Sequence, residues 1–297
     1  MASMSKLRET LEAGDFAVAV ELKPPRGTEV GGMLAPVTAL RERVTAFGLP
    51  DNAQACLHLS SLAAARLVKE AGGEPLLHLS CRDRNRLALE SDLLGAAALG
   101  VENLLLVSGD YVTLGDHPQA KPVYDADSVQ LLQIAQGLRA GQDSTGQPLS
   151  GNPAFYLGAV VIPEADPLAP QLLKMEKKIA AGAQFLVTAP VFHLERLRSF
   201  REHLTDPAIK LLVTVKVLEA DELSQAMAGG WRKVYSLPQE LLQELAGQEP
   251  AALESEAVRV AGRLVRQIKE ERLGDGVYLQ ARGREDLLAA ILKQAEL

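Results

Sequence analysis

Val101-Glu102-Asn103-Leu104-Leu105-Leu106-Val107-Ser108, set between Gly100 and Gly109, is the clearest strand signal in the chain. Its central run is apolar on both faces of an extended backbone and too short for an ordinary helix. A strand covered on both faces gives this pattern, and such strands belong to parallel sheets flanked by helices. Upstream, Arg84–Leu99 has helical spacing, and Gly100 supplies the left-handed residue that ends many helices. Downstream, Asp127–Arg139 again reads as a helix.

The same alternation extends in both directions. Strands are expected at Phe16–Leu22, Val44–Leu49, Pro75–Ser80, Phe155–Ile162, Gln184–Thr188, Ile209–Val217 and Gly276–Leu279. Helices are expected at Val30–Arg43, Ser60–Ala71, Leu168–Ala181, His193–His203, Glu219–Met227, Pro250–Arg272 and Arg284–Glu296. Gly274 is the expected end of the long helix, and the polar, turn-rich stretch Gly141–Pro153 is expected to be a surface loop. Strict strand–helix alternation implies parallel strands joined by crossover helices. Eight such units in 297 residues fit a closed barrel better than an open sheet, so the expected fold is α/β, a (β/α)8 TIM barrel forming a single domain over residues 1–297.

Composition removes several classes of function. A formal charge of −7 gives no basic field for nucleic acid. No run of 18 apolar residues occurs, and Met1–Thr10 is polar without an apolar signal core, so no membrane span is expected and the cytoplasm is the expected compartment. Cys56 and Cys81 are too few for a disulfide framework or a zinc knuckle and read as reduced core thiols. There is no GxGxxG after a strand, no phosphate-binding GxxxxGK[ST] loop and no serine nucleophile elbow.

A parallel barrel presents its chemistry at the carboxyl ends of its strands. The polar residues there are Glu21 and Lys23, then Asp51-Asn52, then His78, Ser80, Cys81, Arg82 and Asp83. Ser108, Gly109 and Asp110 follow the fourth strand, Pro163 and Glu164 the fifth, Thr188 the sixth, Lys216 the seventh, and Gln280 and Arg282 the eighth. Glu21 interrupts an apolar strand just before Pro24-Pro25. Such a carboxylate is either a desolvated general acid or the partner of a cation at the barrel top. Asp110 follows a glycine that lets backbone approach a flat ligand, and it either contacts that ligand or caps the next segment. His78 is a core residue or a ligand contact; without a His-x-His, Cys-x-x-Cys or carboxylate triad beside it, no metal site is expected. The block Cys81-Arg82-Asp83-Arg84-Asn85 combines a helix start, with Asp83 as its cap, and a possible anion site. Lys174, Lys177 and Lys178 form a solvated helix face or part of a phosphate site.

Several blocks resemble the methylenetetrahydrofolate reductases, in particular their shorter bacterial branch. These are Val20-Glu21-Leu22-Lys23-Pro24-Pro25, Leu49-Pro50-Asp51-Asn52, His78-Leu79-Ser80-Cys81-Arg82-Asp83-Arg84-Asn85, Val107-Ser108-Gly109-Asp110, Val123-Tyr124-Asp125-Ala126-Asp127-Ser128 and Lys178-Ile179-Ala180-Ala181-Gly182-Ala183-Gln184-Phe185. Gly276-Val277-Tyr278-Leu279-Gln280-Ala281 resembles the closing strand. The resemblance covers most of residues 16–200 and returns near 276–281. It implies a barrel that holds FAD or FMN and interconverts 5,10-methylenetetrahydrofolate and 5-methyltetrahydrofolate by hydride transfer. It implies that Glu21 is the general acid and that Asp110 acts beside flavin and folate. It places His78, Ser80, Ser108, Gly109, Tyr124, Asp127 and Lys178 at the cofactor and Thr188 and Gln280 at the folate. An electron-delivering protein subunit, and either a homo-oligomer or a hetero-complex, are the partners it implies.

The pattern is broken in three places. The family's Thr-Gln after the sixth strand is Thr188-Ala189 here, its Asn-Pro after the fifth is Ile162-Pro163, and the seventh strand ends in Lys216. The flavin-side blocks are therefore better kept than the pterin-side ones. Two other readings stay open on these departures: a partner-dependent or non-catalytic subunit of an electron-transfer complex, and a flavin-free barrel that binds a pterin for methyl transfer.

Overall fold

A computed structural model describes residues 4–218, 237–245, 250–281 and 283–297. The helix expected at Glu219–Met227 and the residue Arg282 lie outside the described residues. Eight parallel strands, β1 (Ala17–Glu21), β2 (Ala46–Leu49), β3 (Pro75–Ser80), β4 (Asn103–Val107), β5 (Tyr156–Val161), β6 (Phe185–Thr188), β7 (Lys210–Lys216) and β8 (Gly276–Gln280), close into a barrel in chain order. Helices α1 (Lys6–Ala13), α2 (Gly31–Leu40), α3 (Ser61–Glu70), α4 (Arg86–Ala98), α5 (Ser128–Arg139), α6 (Ala169–Ala180) and α7 (Leu194–Glu202) are followed by Gln239–Leu245, Pro250–Glu270 and Leu288–Gln294.

Strand alternation divides the apolar residues into two layers. Outward residues such as Val18, Val20, Phe47, Leu77, Leu104, Leu106 and Val277 pack under the helices in one continuous cluster. Inward residues form a second cluster inside the barrel, built from Ala17, Ala19, Ala46, Leu76, Leu105, Tyr156, Phe185, Leu212 and Tyr278. Rings fill this interior where a facing residue has no side chain. Tyr156 stacks on Phe185 at 4.9 Å. A Cβ on Gly158 would lie 2.2 Å from Phe185, and one on Gly48 would lie 2.1 Å from the Tyr278 hydroxyl.

Helix α1 was not expected from its polar sequence. It buries Leu7 and Leu11 in the inner cluster and so closes the amino-terminal end of the barrel. Ser5 caps it, and the Ser5 hydroxyl also donates to Asn103 Oδ1 at 2.6 Å. The short helix Gln239–Leu245 was likewise unexpected.

Three local expectations are corrected. Asn85, not Asp83, caps α4, its Oδ1 accepting from Ala88 N at 3.0 Å. The long helix ends at Glu270, and the left-handed residue after it is Arg272 (φ 54°), while Gly274 is a site of close packing against Val213. The closing helix is a 3-10 turn, Glu285–Leu287, followed by the α-helix Leu288–Gln294.

Gly48→Ala places a methyl group where the Tyr278 ring already sits. Overpacking of this kind costs about 1–3 kcal/mol. Urea denaturation is expected to show the variant losing unfolding free energy by that amount.

Candidate active site

The carboxyl ends of the strands surround a cavity of about 460 Å³. That lies within the range, roughly 300–1,000 Å³, of small-molecule sites. Of the residues expected at the site, Glu21, His78, Ser108, Gly109, Asp110, Lys178, Thr188 and Gln280 line it. Ser80, Tyr124 and Asp127 stand behind its wall and are not among the lining residues.

Glu21 ends β1 on the inward face, and closure of the barrel brings β8 beside it. Its Oε2 accepts from the Tyr278 hydroxyl at 3.0 Å and from Gln280 Nε2 at 2.9 Å. The same hydroxyl lies 3.1 Å from His78 Nε2. Burial lowers the His78 pKa to about 3, so the imidazole is neutral at physiological pH. Burial, with the Glu21 charge beside it, raises the Tyr278 pKa well above that of a free phenol. Gln280 Oε1 is buried with no hydrogen-bond partner. Tyr278 was not singled out in the sequence, although strand alternation puts it on the same face as Gln280, two residues on.

The block after β3 is a brace. The buried Asp51 carboxylate accepts from Ser80 N at 2.9 Å and from Arg84 Nη1 at 2.7 Å, and Arg84 also pairs with Asp92 at 2.6 Å. Buried Arg82 pairs with Asp83 at 2.6 Å and reaches the carbonyls of Asn52 and Asp110. The Arg82 guanidinium holds the Asp83 carboxyl below the usual range. These arginines are matched by carboxylates inside the protein, so the block is a tie between β2, β3 and β4. Gly109 (φ 91°) lies directly over it, since a Cβ there would sit 2.8 Å from Arg82 Cβ and 3.2 Å from Ser80 Cβ. The Ser80 hydroxyl is buried without a partner.

A strap at residues 52–55 crosses the mouth. Asn52, Gln54 and Ala55 all have left-handed backbone, a conformation that costs non-glycine residues on the order of 1 kcal/mol each. Asp110 Oδ2 holds the strap by accepting from Gln54 N at 2.8 Å. Asn52 Oδ1 accepts from His58 N, and Asp116 accepts from Leu57 N and pairs with Arg26. The Asp110 carboxylate therefore faces back to the strap and does not cap the following segment. The strap separates the central cavity from a neighbouring one of about 540 Å³, between Pro24-Pro25 and Met33, and Glu21 lines both.

On the opposite wall, α6 presents Gln171, Lys174 and Lys178 to the cavity, while Lys177 is exposed. Lys178 Nζ donates to Val160 O at 2.5 Å. Burial, with Lys174 nearby, lowers its pKa to about 8. Thr188 is tied to β7: its Oγ1 accepts from Thr214 N and its carbonyl from Thr214 Oγ1. Asp127 caps α5, its Oδ1 accepting from Val129 N and Gln130 N while Gln130 returns the bond. The Tyr124 hydroxyl donates to Asp110 O at 3.0 Å. Among the described residues, no group of three His, Cys, Asp or Glu side chains is placed to hold a metal ion, and no helix is long and apolar enough to cross a membrane. Cys56 and Cys81 are free thiols.

Residues 6–296 match the family model described as methylenetetrahydrofolate reductase. The chain belongs to this family. The match includes the stretch between residues 200 and 276, where the motif blocks are weak. A Caenorhabditis elegans protein named probable methylenetetrahydrofolate reductase (NADPH) is 25% identical over 256 residues, covering 80% of this chain and 34% of the relative. The chain thus spans about a third of that relative's length. Among solved structures, an uncharacterized Clostridium thermocellum protein described as binding two copies of 5-methyl-5,6,7,8-tetrahydrofolic acid superposes with a TM-score of 0.62 at 14% identity, covering 97% of each chain. EDTA monooxygenase from Chelativorans sp. BNC1 gives 0.53 at 10% identity over 94% of this chain and 92% of its own. Likeness at these identities is likeness of fold.

Lys178 gives a pH test of the site's electrostatics. Its folded pKa of about 8 lies below the ordinary 10.5, so between these values the unfolded chain binds more protons and the unfolding free energy rises with pH. Lys178→Met removes that contribution. Urea titrations at pH 7.5 and pH 10 are expected to show wild type gaining on the variant by on the order of 2 kcal/mol.

Proposed function

We propose that this chain interconverts 5,10-methylenetetrahydrofolate and 5-methyltetrahydrofolate at the barrel mouth, with FAD or FMN as its cofactor. The observation that carries this reading is Glu21, a buried carboxyl on the cavity wall with one oxygen fixed by two donors. A group so placed can move a proton to a bound amine nitrogen.

The mouth suits a planar ring with an anionic tail. Gly109 offers flat backbone, the Ser80 hydroxyl behind it is buried and unsatisfied, and Lys174 and Lys178 provide cations on α6. These residues, with His78 and Ser108, would hold the flavin, which when bound supplies the hydride chemistry. Tyr124 and Asp127 would act from behind, by fixing the Asp110 backbone and the start of α5.

Glu21 would protonate the folate nitrogen bound to the methylene carbon. As that carbon–nitrogen bond breaks, its electron pair goes to the nitrogen and a cationic iminium remains. The Asp110 carboxylate, held by the strap on the same cavity, offsets that charge. Ala189 lacks the amide that family members place there for the pterin, and Gln280 offers a replacement. Its Oε1 is buried and unpaired, so a pterin N–H donor placed against it would relieve a group that otherwise costs about 1–3 kcal/mol. The tie between Thr188 and Thr214 fixes the wall beside it.

The purified protein, loaded with flavin, is expected to oxidise 5-methyltetrahydrofolate with an artificial electron acceptor. No turnover at full flavin occupancy would defeat the proposal. Glu21→Gln is expected to retain flavin absorbance and lose about 100-fold in folate turnover, the lower range for a general acid.

A further inference from the structure

The Glu21–Tyr278–His78 contacts determine more than the place of a carboxyl group. The Tyr278 hydroxyl carries one proton and has two neighbours, Glu21 Oε2 at 3.0 Å and His78 Nε2 at 3.1 Å. Gln280 Nε2 also donates to Oε2. An oxygen that already accepts from an amide is the natural acceptor for the phenol, because a carboxylate binds a donor more strongly than a neutral imidazole does. The phenol proton then points to Glu21. The imidazole, neutral in this buried position, must meet the phenol oxygen with an N–H, which fixes its proton on Nε2.

We infer that Tyr278 is a positioning residue for Glu21: anchored by the Nε2–H tautomer of His78, it donates to Oε2 and holds the carboxyl group in one orientation at the cavity wall. Its role in catalysis rests on the folate chemistry proposed above; the proton assignment does not. Two features show that the arrangement is built. Gly48 has no Cβ where one would lie 2.1 Å from the Tyr278 hydroxyl, so the β2 wall is cut away for this one group. The ring is otherwise packed in the inner barrel cluster, so its position is fixed by the barrel interior.

Among the described residues, charged and polar groups face this triad from several walls. Lys216 on β7 pairs in register with Gln280, and Thr214 with Tyr278. Asp51, Arg82, Asp110, Lys174 and Lys178 line the same cavity, and Lys23, Arg26, Glu29, His58 and Glu285 line the neighbouring one. Tyr278→Phe changes none of them, so a difference between variant and wild type reports the hydroxyl.

The experiment is a carbon-13 NMR titration of protein labelled at the glutamate carboxyl, with the Glu21 signal assigned by its loss in Glu21→Gln. Removing a donor to the carboxylate disfavours the charged form. Tyr278→Phe is therefore expected to raise the Glu21 midpoint by about one pH unit, the scale of a hydrogen bond to a charged group. In flavin-loaded enzyme the pH limb of folate turnover is expected to move by the same amount. A tyrosine that only fills space would lower stability and leave the midpoint where it is; an unmoved or lowered midpoint overturns the inference. Should Tyr278→Phe fail to fold, His78→Leu is expected to raise the midpoint in the same direction and His78→Gln, which restores an N–H, to return it. Identical midpoints in both would overturn the inference as well. A shifted midpoint without folate turnover at any pH supports the inference and removes the proposed function; turnover with an unshifted midpoint does the reverse.

Discussion

Closure of the sheet is the constraint on which the site depends. Pairing of β1 with β8 puts Glu21 within hydrogen-bond reach of Tyr278 and Gln280, residues 257 and 259 positions away in the chain. An open sheet of the same strands would leave β1 and β8 as distant edges and Glu21 as an isolated carboxyl in water. The closed barrel instead brings three groups from β1, β3 and β8 together, above an apolar interior. The low dielectric there strengthens each bond and raises the cost of leaving any of them unmade. The same desolvation keeps His78 neutral and raises the Tyr278 pKa, so the phenol keeps its proton and the imidazole carries one.

Charge around the mouth is divided by the same physics. Arg82 and Arg84 are buried or nearly so, and each is matched by carboxylates of this chain, Asp83 for one and Asp51 with Asp92 for the other. A buried cation without such a partner would be strongly destabilising, so these residues fix loops and contribute little field to the cavity. Lys178 is different. Its hydrogen-bond acceptor is the neutral carbonyl of Val160, and burial with Lys174 nearby lowers its pKa more than the Asp127 carboxylate raises it. An anion placed beside α6 would stabilise the charged amine and reverse that shift. The wall nearest Lys178 is thus predisposed to an anionic ligand, whereas the equally basic block after β3 is not.

The frame of this molecule was legible because strand burial has a simple sequence signature. Runs such as Val101–Ser108 and Pro75–Ser80 carry apolar residues on both faces, and their order fixes the barrel. Helix α1 was not legible, since only Leu7 and Leu11 mark its buried face and most other residues are polar. Its docking depends on Asn103, a polar residue within the strand used to recognise the fold. The strap at residues 52–55 was missed for another reason. Asn52, Gln54 and Ala55 hold left-handed backbone through bonds to Asp110, Asp116 and each other's neighbours, and no local propensity announces a conformation imposed from outside. The Arg82–Asn85 block was legible as functional but ambiguous in role, because a list of charges does not say which are paired.

Strain and vacancy have the same part to play at this mouth. The strap holds three unfavourable backbone conformations, and what it gains is a carboxylate, Asp110, whose direction is set by a backbone N–H instead of by solvent. Gly48 has no side chain, and the Tyr278 phenol occupies the room this leaves. Each feature serves to fix one acidic oxygen in space. Both acidic oxygens belong to the same cavity, one on β1 and the other after β4. A barrel selected for stability alone would relax the strap. The two features coincide at one cavity, with an unpaired buried acceptor at Gln280 on its wall and an unpaired hydroxyl at Ser80 behind it, while at the opposite end α1 packs Leu7 and Leu11 into the inner cluster.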